Sequence, residues 1–262
     1  MQLPDIVIFA LAEGVADILP VDATAHSLVV AKLLGWRAGT IGAAIHLGAA
    51  FALLLYLWRD VLLIGQGLWK LRRARIEPGT SLLAKALLAA FPWLAATTLL
   101  GAAPVPGLAD LVLVGAVTIF CALLMGVVDK LCMTVKRTEH LSGLTALIVG
   151  VAQLFALVPG VGRVAAALTA VRMLGLERPD AYRFVLLVNI PILLADGIAH
   201  AVHYSLDGLQ PSDSDFVMFG VTCGLVLLAL SISMAWIRRA GLLPFALYRL
   251  LLGVGLICLG VL

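Results

Sequence analysis

The sequence predicts an all-α, polytopic membrane protein, because its composition and the lengths of its apolar segments both match that class. Hydrophobic residues make up 63% of the chain and charged residues only 13%, and the mean hydropathy is +1.11. A soluble domain typically carries about 25% charged residues. The formal net charge of +3 is too small to indicate a nucleic-acid partner. We therefore predict that residues 1–262 form a single membrane domain.

Six apolar stretches are long enough to span a bilayer, which takes about 20 residues of helix. They cover residues 39–58, 81–101, 108–128, 181–203, 215–237 and 242–262. Two further apolar regions, 4–35 and 141–176, are interrupted near their centres by Pro20 and by Pro159-Gly160. Proline removes a backbone donor, and in lipid the freed carbonyl must be satisfied by protein or by cavity water. Each interrupted region is therefore predicted to form a re-entrant helical hairpin.

The two hairpins are predicted to open the two halves of an internal repeat, approximately residues 1–130 and 131–262. Beyond the prolines, Lys32-Leu-Leu-Gly35 corresponds to Arg172-Met-Leu-Gly175 at a matching offset. Each half then contains one hairpin and three spans, and an odd number of spans makes the halves run in opposite directions. The sequence therefore predicts an inverted repeat whose hairpin tips meet near the middle of the membrane.

The distribution of positive charge predicts the orientation, because connections rich in Lys and Arg stay in the cytoplasm. The 58–80 and 129–140 connections share this basic character, through Arg59, Lys70, Arg72, Arg73, Arg75, Lys130, Lys136 and Arg137. Both connections are predicted to be cytoplasmic, so residues 102–107 and 207–215 should face the outside.

The first hairpin carries a pair of carboxylates in apolar sequence. Glu13 and Asp17 are four residues apart, so on a helix they share one face. Two carboxylates there repel each other unless a cation lies between them or one holds a proton. Oxygen ligands at this spacing suit Mg²⁺ or Ca²⁺, completed by water and a phosphate. The pair therefore predicts a divalent-cation site; the alternative is a solvated patch at the hairpin mouth.

Polar residues on both sides of the two breaks predict a site for a phosphorylated group. Asp22, Thr24 and His26 begin the second half of the first hairpin, where free backbone N–H groups can hold an anion. In the second hairpin, Gly160 and Gly162 permit close backbone approach, and the fork of Arg163 matches phosphate oxygens.

Structural interpretations of these residues stay open. Arg163 could neutralise Glu13, since charges within membranes pair with one another. His26 could be a hydrogen-bonded packing residue, and Pro159-Gly160 could be a simple kink. Agreement between matching positions of the two halves favours the functional interpretation.

Other polar residues in the spans favour structural roles. His46 and Asn189 are predicted to hydrogen-bond between helices, and Arg249 to pair with a carboxylate or to reach the interface. Three residues near the outer end of one span are predicted to be interfacial: Asp196, His200 and His203.

A series of short motifs runs along nearly the whole chain in a fairly specific order. It consists of Glu13-Gly14 with Asp17, Leu19-Pro20-Val21 with Thr24 and His26, Leu34-Gly35-Trp36, Trp58-Arg59, Pro159-Gly160 with Arg163, Phe184 to Pro191, and Pro244 to Arg249. In these motifs the chain resembles the bacterial undecaprenyl-pyrophosphate phosphatase family of bacitracin-resistance proteins. The resemblance implies an inverted-repeat membrane fold with two re-entrant hairpins. It also implies a cation-dependent hydrolase that removes the terminal phosphate of undecaprenyl pyrophosphate at the outer face of the cytoplasmic membrane, regenerating the carrier for wall polymers.

The chain departs from this family at its hydroxyl groups. The first family motif has two serines where this chain has Asp22 and Ala23, and one of them is the usual candidate nucleophile. The second family motif, Pro-Gly-x-Ser-Arg-Ser-x-x-Thr, retains here only the proline, the glycine and Arg163. The second acid of the first motif is shortened from glutamate to Asp17.

Two functions therefore stay open at the level of sequence. In the first, the chain is a phosphatase in which Glu13 and Asp17 hold the cation and Arg163 steadies the pyrophosphate. The attacking group is then Asp22, Thr24 or an activated water, and His26 transfers the proton. In the second, the chain is a catalytically silent binder or flippase of polyprenyl phosphate with the same fold. We favour the phosphatase.

Overall fold

The computed structural model describes residues 2–35, 42–71, 77–100, 108–132 and 136–261, which are predominantly helical and contain no β-strand. The first half contains α1 (Leu3–Phe9), a π-helical segment (Ala10–Val15), α2 (Ala23–Leu34), α3 (Gly42–Tyr56), α4 (Trp58–Leu71), α5 (Pro78–Leu100) and α6 (Leu111–Leu131). The second half begins with a 3-10 turn (Thr138–His140) and continues with α7 (Gly143–Gln153), a second 3-10 turn (Leu154–Leu157), α8 (Arg163–Met173), α9 (Arg178–Leu206), α10 (Asp213–Ala240) and α11 (Leu243–Val261).

Five helices in the described ranges are long and apolar enough to cross a membrane, namely α5, α6, α9, α10 and α11. They match five of the six predicted spans and confirm a polytopic helical membrane protein. The remaining prediction, residues 39–58, differs from the structure because the chain bends by 82° between α3 and α4. If the bent pair of α3 and α4 counts as one span, the number of spans is the expected six. Trp36, residues 72–76 and residues 102–107 lie outside the described residues.

Both predicted hairpins are present. The helices α2, with 12 residues, and α7, with 11, are too short to cross a bilayer. After the turn at Pro20, α2 packs back against the π-helical segment, and α8 likewise packs back against α7. The prolines thus end one half-helix and let the chain return, as their chemistry predicts.

Corresponding helices of the two halves occupy corresponding positions in the packing. α3 packs on α9, and α6 packs on α11. In the same way α10 packs on the π-helical segment of the first hairpin, and α5 packs on α7 of the second. This pattern agrees with a repeat of a hairpin and three spans. The opposite orientation of the two halves in a membrane stays a prediction.

The tips of the hairpins meet in the interior of the bundle. Gly162 has a φ of +73°, and a Cβ atom built on it would lie 2.0 Å from the carbonyl oxygen of Val21. Gly160 has a φ of +96°, and its Cβ would lie 2.6 Å from the carbonyl oxygen of Val114 on α6. Only glycine fits both the backbone conformation and the space at these positions.

A buried ionic cluster joins the ends of α6, α8, α9 and α10. The carboxylate of Asp129 accepts hydrogen bonds from Nε of Arg172 at 3.2 Å, from Nε of Arg178 at 2.8 Å and from the backbone N–H of Leu242 at 3.0 Å. This cluster lies beside the basic connection that follows α6. It fixes the positions of both halves at that end of the bundle.

We predict that Gly162→Ala destabilises the protein, because the added methyl group collides with the backbone of the other hairpin. The expected loss is about 1–3 kcal/mol in the free energy of unfolding. Thermal unfolding of the purified protein in detergent measures it. The control is Gly255→Ala on α11, where a Cβ meets nothing within 4 Å. Equal stability of the two variants would contradict the close contact of the tips.

Candidate active site

A cavity of about 770 Å³ lies where the two hairpins meet, between α3, α5 and α9. We call it the hairpin cavity, and its polar lining consists of Glu13, Asp17, Asp22, Thr24, Ser27, His46, Thr97, Thr98, Arg163, Asp196, His200 and His203. Five of the eight predicted site residues line it: Glu13, Asp17, Asp22, Thr24 and Arg163. The structure therefore brings the acidic and basic parts of the predicted site together.

The π-helical segment places both carboxylates of the first hairpin on the cavity wall. Its widened turn is closed by a hydrogen bond of 3.2 Å from the backbone N–H of Ala16 to the carbonyl of Leu11. Single π-helical turns occur frequently at functional sites. Glu13 lies within this turn and Asp17 follows it, so both side chains reach the cavity.

Arg163, the first residue of α8, is the buried cation of the cavity, with 6% of its surface exposed. Its Nη2 donates to Oδ2 of Asp17 at 2.7 Å, and its Nη1 lies 3.9 Å from Oδ2 of Asp196. The guanidinium also lies over the ring of Trp93, with Cζ 5.2 Å from the ring centroid. The structural alternative that paired Arg163 with Glu13 is therefore wrong, because Asp17 is the partner.

Two nitrogens of Arg163 lack a hydrogen-bond partner among the described residues, namely Nε and Nη1. A buried donor without a partner destabilises a protein by about 1–3 kcal/mol, and more when it is charged. Native proteins rarely keep such groups unless a ligand or water completes them. Arg249 has the same two nitrogens without a partner in the described ranges, so this feature is not specific to the cavity. Arg163 differs from Arg249 in that its side chain belongs to the cavity lining.

Glu13 contacts a hydroxyl group across the hairpin. Oγ of Ser27 on α2 donates to Oε1 of Glu13 at 3.2 Å. Both residues line the cavity that also contains Arg163.

Asp22 joins the two hairpins. It is the N-cap of α2, and its Oδ2 accepts hydrogen bonds from the backbone N–H of Ala25 at 2.9 Å and of Gly160 at 2.8 Å. Only 4% of its surface is exposed. Its predicted catalytic role stays a prediction, whereas its role as a cap and as a bond between the tips follows directly from these contacts.

His26 lies away from the cavity lining, on the side of α2 that faces α11. Its Nδ1 lies 2.6 Å from the carbonyl oxygen of Asp22 and its Nε2 lies 2.6 Å from the hydroxyl of Tyr248. Since a carbonyl oxygen only accepts, Nδ1 donates, and the neutral ring accepts the tyrosine hydroxyl at Nε2. These contacts match the packing interpretation of His26, and the proton-transfer role stays a prediction.

Gly160 and Gly162 do not line the cavity, because they pack against the protein itself. The carbonyl of Gly160 accepts a hydrogen bond of 2.7 Å from Nη2 of Arg249, and the carbonyl of Val161 accepts another of 2.8 Å. The prediction for Arg249 is therefore wrong: this buried side chain holds the backbone carbonyls of the second tip. Phosphate binding by the two glycines stays a prediction, and the structure gives them a packing role.

α9 contributes residues whose role the sequence interpretation missed. Asp196, His200 and His203 line the cavity, and their predicted interfacial position stays a prediction. His46 stacks on His200 with the ring centroids 5.4 Å apart, and Nδ2 of Asn189 donates to the carbonyl of Asp17 at 3.2 Å. The spacing of the three α9 residues, at i, i+4 and i+7 on one helix face, could have revealed a common polar surface.

The described residues contain no group of three or more His, Cys, Asp or Glu side chains positioned to hold a metal ion. Mg²⁺ usually keeps several waters and binds through one or two carboxylates together with phosphate oxygens of a substrate. Ser27 engages only Oε1 of Glu13, and Asp17 is bonded to Arg163 through Oδ2. One oxygen of each carboxylate is therefore left to contact a cation, and a cation site at this pair stays a prediction.

The fold and the cavity together define a helical membrane protein with a polar internal cavity that contains a buried arginine. By comparison with known proteins, the chain belongs to the bacitracin resistance protein BacA family, which matches residues 6–255. It is 37% identical over 272 residues to undecaprenyl-diphosphatase 1 of Rhodospirillum rubrum, covering 99% of this chain and 95% of that protein. It is 34% identical over 271 residues to undecaprenyl-diphosphatase 1 of Paramagnetospirillum magneticum, covering 99% and 97%. The family resemblance found in the sequence is confirmed.

We predict that Asp22→Ala destabilises the protein more than a substitution that removes only a helix cap. Loss of a cap costs about 1 kcal/mol, and Asp22→Ala also leaves the buried N–H of Gly160 without a partner, which adds about 1–3 kcal/mol. Chemical or thermal unfolding in detergent compares it with Asp110→Ala, which removes the N-cap bond of α6 to Leu113 at an exposed site. Equal losses would show that the bond between the tips contributes nothing.

Proposed function

We propose that this chain is an undecaprenyl-diphosphatase. Such a hydrolase removes the terminal phosphate of undecaprenyl pyrophosphate and returns the lipid carrier for cell-wall synthesis. Relatives of that name match the chain over 98–99% of its length. The observation that carries the proposal is Arg163, a buried cation in the lining of the hairpin cavity, beside the carboxylate of Asp17 and in the same cavity as Glu13.

The groups in the cavity suit hydrolysis of a pyrophosphate lipid. A phosphoryl group in transfer places its charge on peripheral oxygens, and catalysis consists mainly of positioning and electrostatic stabilisation. Arg163 supplies the fork of donors that matches such oxygens. The surrounding helices are apolar, so a polyprenyl chain can remain in lipid while its pyrophosphate enters the cavity.

We propose that Glu13 and Asp17 hold a divalent cation together with oxygens of the substrate. When bound, Mg²⁺ or Ca²⁺ would neutralise negative charge on the pyrophosphate. Arg163 remains beside Asp17, so one carboxylate links the arginine and the proposed cation.

We infer that the hairpin cavity opens toward the outer face of the cytoplasmic membrane. Asp196 and His200 line the cavity from the second half of α9. The hydrogen bond from Arg178 to Asp129 lies at the opposite end of the same helix. Thr97 likewise lies near the end of α5, whose start at Pro78 is part of the basic 58–80 connection. These positions support an opening on the side away from the basic connections, which the positive-inside rule assigns to the cytoplasm.

We predict that purified protein in detergent releases phosphate from undecaprenyl pyrophosphate and that Arg163→Ala lowers kcat/KM by about 100-fold or more. Arg163→Lys should recover only part of the loss, because lysine lacks the fork. The control is Arg239→Gln, an exposed arginine in the last turn of α10. Absence of release by well-folded wild-type protein, or full activity of Arg163→Ala, would contradict the proposed function.

We also predict that a chelator abolishes phosphate release and that added Mg²⁺ or Ca²⁺ restores it. Glu13→Gln removes a charged ligand, so the cation concentration for half-maximal activity should rise about 10-fold or more. Titration of the residual activity with each cation measures this shift. Glu139→Gln, in the exposed 3-10 turn before α7, is the matched control. Activity that survives the chelator would refute the cation site.

A further inference from the structure

Ser27 is a hydroxyl group of the hairpin cavity that no motif of the sequence predicts. It lies on α2, and its Oγ donates to Oε1 of Glu13 at 3.2 Å. Ser27, Glu13 and Arg163 all line the same cavity. A nucleophilic hydroxyl needs a base within hydrogen-bond reach, and Glu13 meets that geometric condition.

The helix explains how Ser27 reaches the cavity. Ala23 and Ser27 are four residues apart on α2, so they lie on one face of the helix. Both line the cavity. The hydroxyl group therefore stands one helical turn beyond Ala23 on the same wall.

The other candidate nucleophiles of the cavity are less suited to attack. Oδ2 of Asp22 is bonded to two backbone N–H groups, and only 4% of the residue is exposed. Thr24 lines the cavity, but its hydroxyl donates to no carboxylate among the described residues. Ser27 alone of the three combines a hydroxyl with a carboxylate partner.

We propose that Ser27 is the nucleophile of the reaction and passes through a phosphoserine; this assignment rests on the proposed function. Oγ bonds to the terminal phosphorus while the bond from that phosphorus to the bridging oxygen breaks, and undecaprenyl phosphate leaves. Oε1 of Glu13, the oxygen bonded to Ser27, accepts the Oγ proton and passes it to the departing phosphate, and Oε2 is the oxygen left for the proposed cation. Arg163 donates to the oxygens of the transferred group.

A second displacement restores the serine. Water bonds to phosphorus as the bond to Oγ breaks, and Glu13 carries one proton from the water to Oγ. Inorganic phosphate leaves, so the two steps together consume one water and leave the protein unchanged.

The test measures phosphate release and searches for the phosphoserine in the same samples of full-length protein. Wild type, Ser27→Ala, Ser27→Thr and Ser231→Ala are compared with undecaprenyl pyrophosphate and Mg²⁺ in detergent. Ser231 is the matched control, because it is exposed and donates to Leu227 of its own helix at 2.9 Å. Samples quenched in cold acid during turnover are digested and analysed by mass spectrometry before and after treatment with neutral hydroxylamine. Hydroxylamine cleaves an acyl phosphate on Asp22 and leaves a serine phosphate ester intact.

We expect Ser27→Ala to lose roughly three orders of magnitude or more in kcat, while its binding of the lipid and its unfolding temperature stay near wild type. Ser27→Thr, which keeps a hydroxyl, should recover part of the activity, and the wild-type peptide containing Ser27 should carry a phosphoryl group. Ser231→Ala should match wild type in every assay.

Two results would overturn the assignment while the proposed function stands: an active wild type with Ser27→Ala retaining more than about a tenth of its kcat, or phosphate on another residue. If Ser27→Ala fails to fold, the phosphopeptide of the wild type and the activity of Ser27→Thr decide. A well-folded wild type that binds the lipid and releases no phosphate would instead overturn the proposed function itself.

Discussion

The contact between the two hairpin tips determines where the hairpin groups of the candidate site lie. A helix broken inside a membrane leaves backbone donors and acceptors that water cannot satisfy, so protein must satisfy them. Here the two breaks contact each other: the carboxylate of Asp22 accepts a hydrogen bond from the N–H of Gly160, and Gly162 packs against the carbonyl of Val21. Asp17 lies just before the first break and Arg163 just after the second. Their hydrogen bond of 2.7 Å is therefore a direct consequence of the way the tips meet.

The buried arginines of the bundle differ in how far the protein satisfies them. Arg172 bonds to Asp129 and to the carbonyl of Leu176, and none of its nitrogens is left without a partner in the described structure. Arg163 is almost equally buried and has a carboxylate partner, yet two of its nitrogens are unpaired among the described residues. Arg249 is buried as well, and the same two of its nitrogens have no hydrogen-bond partner in the described structure, although it does not line the cavity. Unsatisfied donors therefore do not distinguish Arg163. What distinguishes Arg163 is its position in the cavity lining beside Asp17, where its positive charge favours an anionic ligand.

Local chemistry in the sequence predicts the hairpins and half of the site. Pro20 and Pro159 end half-helices wherever they are placed, and charged residues beside them in apolar sequence mark a buried polar site. The partners could not be predicted in this way, because they depend on distances between elements far apart in the chain. Asp196 is on α9 and approaches Arg163 only through helix packing, and Arg249 reaches the second tip from α11. The packing of Gly160 and Gly162 could not be predicted either, because their close neighbours belong to α6 and to the other hairpin.

The dual role of Asp22 explains why the hydroxyl group stands further along α2. A carboxylate at the N-cap position satisfies the start of that helix, and the same oxygen satisfies the second hairpin. Both bonds go to Oδ2 of Asp22, so movement of this carboxylate toward phosphorus would strain the cap of α2 and the contact between the tips. Ser27 has no such structural role, because its hydroxyl bonds only to Glu13. It lies one helical turn beyond Ala23, so both residues line the same wall of the cavity. The residue that holds the tips together and the residue that attacks can then be separate, so that the architecture of the site is preserved through the reaction.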